Sequence, residues 1–262
     1  MLITKLSDKQ SWDKSYTGRA GNKFYPNPLL HRFHFELDRI FQKYLPKKDG
    51  LKFIEMGCGG SIWLPYFAKE FGYKVSGIDY SEKGCVQTRS NLELAGYQGE
   101  VYCLDFLDIK PSFYHQYDIL LSLGVIEHFD KPAQVVELFA KCLKEGGVII
   151  TVVPNSSGVL GVIQKIIAPT AHYKMHNMFK LNKMIEYHEA NGFIIVYAGY
   201  FIGDLVIINF SRFSAKTQKS IGRLITLLNL GPLWGSRITG LNPQISFLAS
   251  SMFVIAQKAR NL

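Results

Sequence analysis

Residues 51–81 read LKFIEMGCGGSIWLPYFAKEFGYKVSGIDYS. An apolar run reaches Glu55, a glycine-rich turn follows, a helix-patterned stretch comes next, and a second apolar run ends in Asp79. This is the outline of a strand–turn–helix–strand unit whose turn faces a ligand. A dinucleotide fingerprint would place a third glycine at position 62, where Ile62 stands, and a phosphate loop would end in Gly-Lys-Ser/Thr, which is missing. The turn therefore fits a pyrophosphate poorly, and a nucleoside without phosphates is the remaining candidate.

The same rhythm extends outward. Strand-like runs fall at 52–56, 74–78, 100–104, 117–122 and 147–153, and helical stretches near 62–71, 82–95 and 132–144 separate them. Leu30, Phe33, Leu37, Phe41 and Tyr44 predict a helix ahead of the first strand. In the 132–144 helix, Asp130 is the expected N-cap and Gly146-Gly147 the expected stop. Such alternation predicts an α/β fold, a Rossmann-like, mostly parallel sheet with helices on both faces. After residue 153 the rhythm breaks: an insertion at 154–180, a helix, a sixth strand from 193, a second insertion at 211–245, and the closing strand SSMFVIAQK. No repeat or low-complexity tract interrupts the chain, so residues 1–262 read as one domain. Residues 1–48 form an N-terminal arm and helix, and the two insertions form a cap.

Acids recur at the strand ends. Asp79 can accept from both hydroxyls of a ribose, and such charge-assisted bonds are strong. Asp105, in CLDF, can accept from an adenine amino group while Phe106 lies against the ring.

EMGCGG, GIDYS, LDF, YDILLSLGVIEHF, LKEGGVIITVVPN and SSMFVIAQK, in that order, resemble the motifs of class I S-adenosylmethionine-dependent methyltransferases, the small-molecule and quinone O-methyltransferase group most closely. The resemblance implies a seven-stranded sheet with its last strand antiparallel. It also implies S-adenosylmethionine as cofactor, S-adenosylhomocysteine as product, and no metal. Gly57, Cys58 and Gly59 would flank the methionine part, Asp79 the ribose, Asp105 and Phe106 the adenine, and Leu123 the pocket floor, with Glu55 and Tyr80 also among the cofactor-binding residues. Ser61 stands where the family often has a third glycine; it is small and caps helices well.

Methyl transfer from a sulfonium is an in-line displacement in which the protein mostly aligns the reactants. An alcohol or phenol acceptor needs a base, an amine does not. His128, in VIEHF, is placed either to take that proton or to shape the loop, and His172 and His176 lie in the insertion over the acceptor. Glu127 reads as an orienting residue, and His31, His34, His115 and His188 as helix or surface residues. Tyr16 or Arg19 of the aromatic and basic arm can reach the cofactor carboxylate.

Composition bounds the partners. Seven basic residues and no acidic one follow Asp204, so most of the net charge of +9 belongs to the C-terminal part. That favours an anionic or lipid-linked acceptor, with RLITLLNLGPLW (223–234) as an amphipathic segment for peripheral membrane contact through 211–245. The apolar run at 193–210 is broken by Asp204 and Asn209 and reads as a buried strand rather than a span. Four scattered cysteines and no leader-like start point to a reducing, cytoplasmic setting. A nucleic-acid methyltransferase would also be basic, but SLGV stands where an amino-methylating NPPY-type motif belongs. A non-catalytic adenosylmethionine-binding scaffold is the other alternative. The EHF stretch also occurs in cyclopropane synthases, whose further residues have no match here.

Overall fold

The computed structural model describes residues 3–16, 24–159, 176–203, 231, 233–235, 237–239 and 244–260. His172, Arg19 and most of both expected cap insertions lie outside these residues. In chain order the elements are α1 (Lys9–Tyr16), α2 (Arg32–Tyr44), β1 (Lys52–Met56), α3 (Trp63–Phe71), β2 (Lys74–Asp79), α4 (Glu82–Leu94) and β3 (Glu100–Cys103), then β4 (Tyr117–Leu123), α5 (Pro132–Cys142), β5 (Leu143–Pro154), α6 (Leu181–Glu189), β6 (Phe193–Phe201) and β7 (Ser251–Lys258).

The seven strands form one sheet in the order β3-β2-β1-β4-β5-β7-β6. Pairings from β3 to β5 are parallel, and β7 lies antiparallel between β5 and β6. The strand order reverses between β1 and β4, which opens a crevice at the carboxyl edge of these two strands. This is the sheet the motifs implied.

Strand alternation explains why both faces are filled. On β1, Phe53 points to a cluster with Phe41, Trp63, Phe67, Leu121 and Phe253, beneath α2 and α3. Its neighbour Ile54 points to the opposite cluster, with Ile78, Val135, Phe139, Met184 and Val254, beneath α5 and α6. A central parallel strand buried on both sides needs apolar residues at nearly every position, which is why these runs read as continuous.

Two local expectations are corrected. Lys131, not Asp130, is the N-cap of α5. Asp130 is drawn instead to the arm: Thr4 N–H donates to its Oδ1 at 2.7 Å, and its own N–H donates to Thr4 O. At the other end, α5 stops at Cys142 and the chain passes straight into β5, with Leu143 extended and fully buried. No glycine cap is needed, because His115 N–H and Gln116 N–H take the carbonyls of Lys141 and Cys142. Gly146, at φ +74°, belongs to the strand rather than to the helix end.

The apolar run from 193 is β6 through Phe201, and no described helix is long and apolar enough to cross a membrane. His188 is not a surface residue. It is fully buried in α6, and its ring nitrogens contact Met184 O at 2.8 Å and Thr151 Oγ1 at 2.9 Å.

Candidate active site

The turn after β1 is built to hold the chain close to a ligand. Gly57 N–H and Cys58 N–H both donate to Ile78 O, which ties the turn to β2. Gly57 sits at φ +76°, and a Cβ there would meet Val125 Cγ2 at 2.6 Å. Gly59 has no room either: its Cβ would fall 2.5 Å from the Tyr16 hydroxyl and 2.9 Å from Asp79 Oδ2. Ser61 Oγ then accepts from Trp63 N–H and Leu64 N–H, starting α3, while its own proton goes to Glu55 Oε2 at 2.5 Å. Ile62, not Ser61, is the N-cap of α3, but the serine one residue earlier still takes two of its first N–H groups.

Between this turn and the end of β4 lies a cavity of about 290 Å³, at the small end for a ligand site. Glu55, Gly57, Gly59, Asp79, Tyr80, Phe106, Leu123 and His128 all reach its wall. A larger cleft of about 800 Å³ opens at the opposite, amino edge of β1–β3 and touches none of them. The strand-end chemistry is therefore concentrated in the smaller space.

Asp79 is nearly buried, and each of its oxygens is held by a backbone donor, Gly59 N–H at 2.8 Å on Oδ2 and Ser81 N–H at 2.7 Å on Oδ1. Burial raises its pKa, and the two N–H bonds pull it back down. Each carboxylate oxygen has a further lone pair to offer. Glu55 is buried completely, and loss of water pushes its pKa up to about 8 against the pull of the Ser61 hydroxyl. A shielded carboxylate acceptor beside glycine backbone suits a neutral diol, and Phe106 supplies an apolar surface next to it. These residues fit an adenosyl group.

Three predicted residues do not reach the wall. The Cys58 side chain is fully buried and turned towards Gly77, whose Cβ would fall 2.5 Å from its sulfur. Asp105 is engaged elsewhere, because Lys5 forms an ion pair with Oδ2 and Leu107 N–H donates to Oδ1. Lys5, not Asp105, lines the cavity. His176 stands behind His128, ring centroids 4.4 Å apart. Its neighbour Asn177 is fixed there by N–H donation to Glu127 O at 2.5 Å and by side-chain bonds to Phe129 O and Asp130 O.

No pattern in the chain singles out Lys5, Ser7 or Val125. Trp12 and Tyr16, one turn apart on α1, did carry a signal, an aromatic pair on one helical face. They close the cavity from above, and Trp12 meets the His128 ring edge-on at 5.1 Å. The arm is tethered by the Lys5–Phe129 bridge, by Lys9 to Glu82 at 2.6 Å and by Ser81 Oγ to Asp13 at 2.5 Å.

Glu127 is the second buried acid. Among the described residues neither of its carboxylate oxygens has a hydrogen-bond partner, His128 Nε2 is 4.0 Å from Oε1, and desolvation pushes its pKa up to about 8. Ligand atoms of Glu127, His128 and His176 lie within 4.8 Å of one another, the one set among the described residues with spacing to hold a metal ion.

Known proteins resemble this arrangement. The methyltransferase-domain family profile matches residues 29–198. A ubiquinone biosynthesis O-methyltransferase of Idiomarina loihiensis is 29% identical over 117 residues, 44% of this chain and 48% of that protein. A protein of the same name from Neisseria meningitidis serogroup A is 27% identical over 167 residues, 62% of this chain and 64% of that one. The chain thus spans about half to two thirds of the length of these relatives. Among solved structures, a SAM-dependent methyltransferase from Archaeoglobus fulgidus overlays with a TM-score of 0.57 at 18% identity, covering 96% of this chain and all of that one. A phosphoethanolamine N-methyltransferase 2 of Haemonchus contortus, solved with S-adenosylmethionine, gives 0.57 at 17% identity over 86% of this chain and 53% of that one. At such identities the structures speak for the fold alone. With the profile covering most of the chain, the protein belongs to the methyltransferase-domain family.

Proposed function

We propose that the protein transfers a methyl group from S-adenosylmethionine to an oxygen of a small or lipid-linked acceptor. The observation that carries this is the Asp79 carboxylate, held by two backbone N–H groups on the wall of the glycine-lined cavity. Bound there, S-adenosylmethionine supplies an electrophilic methyl group. The chain's own residues align and desolvate: Asp79 accepts from the ribose hydroxyls, Phe106 covers the adenine, and Leu123 closes the floor. Trp12 and Tyr16 keep water out from the arm side. His128, on the wall and 7% exposed, takes the acceptor hydroxyl proton at a ring nitrogen, with His176 and Glu127 behind it.

Oxygen as the accepting atom is supported by relatives named for O-methylation in ubiquinone biosynthesis. A lipid-linked or anionic acceptor is supported by the acid-free, basic sequence after Asp204. The displacement calls for no metal ion, and this reading adds none. Turnover with and without a chelator checks that at the Glu127 cluster.

The test is titration calorimetry with S-adenosylmethionine and S-adenosylhomocysteine. Saturable binding is expected, weakened at least tenfold (about 1.4 kcal/mol) in Asp79→Ala. Unchanged affinity in that variant would remove Asp79 from the ribose. Binding without turnover across phenolic and lipid acceptors would favour the scaffold alternative.

A further inference from the structure

Two of the four cysteines meet behind the strand-end acid. β3 is an edge strand of the sheet, and its last residue, the exposed Cys103, stands opposite Asp79 in the β2–β3 register. Cys85, in the first turn of α4, is fully buried over the same pair. Its Sγ donates to Asp79 O at 3.3 Å and lies 3.9 Å from Tyr102 O, one residue before Cys103. Strand alternation puts Cys103 on the face of Val101, which packs with Leu92 of α4 in one cluster. Helix and strand therefore present their sulfurs to one another. The two thiols hydrogen-bond, and burial together with that contact pushes the Cys85 thiol up to about 12. The other sulfurs lie elsewhere in the interior: Cys58 is turned towards Gly77, and Cys142 donates to Leu138 O at 3.5 Å.

An exposed thiol backed by a second, shielded one is the arrangement in which an oxidant meets the first sulfur and the second resolves the product. We infer that Cys85 and Cys103 form a reversible disulfide when the protein meets hydrogen peroxide, and that this bond weakens the cofactor site. The Cys103 sulfur attacks peroxide, keeps one oxygen as a sulfenic acid and releases the other as water. The Cys85 sulfur then attacks the Cys103 sulfur. The S–S bond forms, the S–OH bond breaks, and the Cys85 proton leaves with the hydroxyl as a second water. Peroxide is reduced, two thiols are oxidised, and an added dithiol reverses the step by exchange.

The consequence follows from what the Cys85 thiol holds. Oxidation removes the S–H donor from Asp79 O, and closing the bond draws the sulfurs well inside contact distance, pulling the start of α4 towards β3. That start carries Ser81, whose N–H holds Asp79 Oδ1, and Gly84, whose carbonyl accepts from Gly60 N–H. The carboxylate and the glycine turn are thus disturbed together. This consequence rests on the proposed function; the thiol pair does not.

The test is treatment of the full chain with hydrogen peroxide, then, after removal of the oxidant, peptide mapping and titration calorimetry with S-adenosylmethionine. A Cys85–Cys103 crosslinked peptide is expected, with two of the four thiols lost to a thiol reagent. Affinity should fall about tenfold, and dithiothreitol should restore both thiols and affinity. Cys103→Ser, at an exposed position, should bind the cofactor as the wild type does and be indifferent to peroxide. A map without the link overturns the inference, as does Cys103 carried on to sulfinic acid beside an intact Cys85 thiol. So do a disulfide-linked dimer through Cys103, a Cys103→Ser variant that loses affinity like the wild type, and a link that leaves affinity unchanged. If the reduced protein binds no S-adenosylmethionine, the methyltransferase reading fails, while the peptide map still decides the thiol pair.

Discussion

Gly59 N–H donates to Asp79 Oδ2 at 2.8 Å, so the glycine turn after β1 and the acid at the end of β2 are a single unit. The turn orients the carboxylate, and the carboxylate holds the turn. Gly59→Ala would push a methyl group against both the Tyr16 hydroxyl and Asp79. We expect at least a tenfold loss of S-adenosylmethionine affinity, about 1.4 kcal/mol or more, with a smaller fall in melting temperature. Calorimetry and thermal denaturation on the same samples give both values, and wild-type affinity would dissolve the unit.

His128 and His176 are in contact, their rings tilted by 46°, but they are not equivalent, since His128 reaches the cavity and His176 does not. His128→Ala should lower turnover by about a hundredfold with little change in cofactor affinity. His176→Ala should act less, and through kcat. Equal losses in both would move the proton acceptor off His128.

Glu127 is buried, no hydrogen bond from the described residues reaches either oxygen, and its pKa is raised to about 8. A carboxyl whose folded pKa lies above its unfolded value favours the fold at low pH. That advantage disappears as pH rises from about 4.5 towards 8, by about 1.4 kcal/mol per unit. Glu127→Gln, neutral throughout, should flatten this slope, so that the variant overtakes the wild type in alkaline urea denaturation. Parallel pH profiles would show that the acid is compensated in solution.

His188 works in the opposite sense. Its Nδ1 donates to Met184 O, so Nε2 is left to accept from the Thr151 hydroxyl, and only the neutral ring satisfies both. Burial lowers its pKa from 6.5 to about 4. The unfolded chain therefore takes up a proton first as pH falls from about 6.5 to 4, at a cost to the fold of about 3 kcal/mol. Loss of that acid-side slope in His188→Gln, followed by urea midpoints, is the expected result.

What could be read from the chain follows a physical division. The strand–helix alternation and the strand-end acids are local, stated directly by apolar runs such as 52–56 and 117–122 and by the glycines at 57 and 59. Seven strands with the last antiparallel follow from the motif resemblance. The departures come from long-range contacts. Asp130 left its capping role because Thr4 claimed its carboxylate, and α5 lost its glycine stop because residues 115 and 116 reached its last carbonyls. Asp105 was the right kind of residue at a strand end, but Lys5 occupies it. The Glu127–His128–His176 cluster joins a loop after β4 to the far end of the first insertion, a meeting no spacing rule contains.

The strap made by residues 3–16 lines the cavity with Lys5, Ser7, Trp12 and Tyr16 and is fastened at Lys5, Lys9 and Asp13. Two of the three fastenings are ion pairs, so the arm's hold on the cavity would loosen as ordinary salt rises.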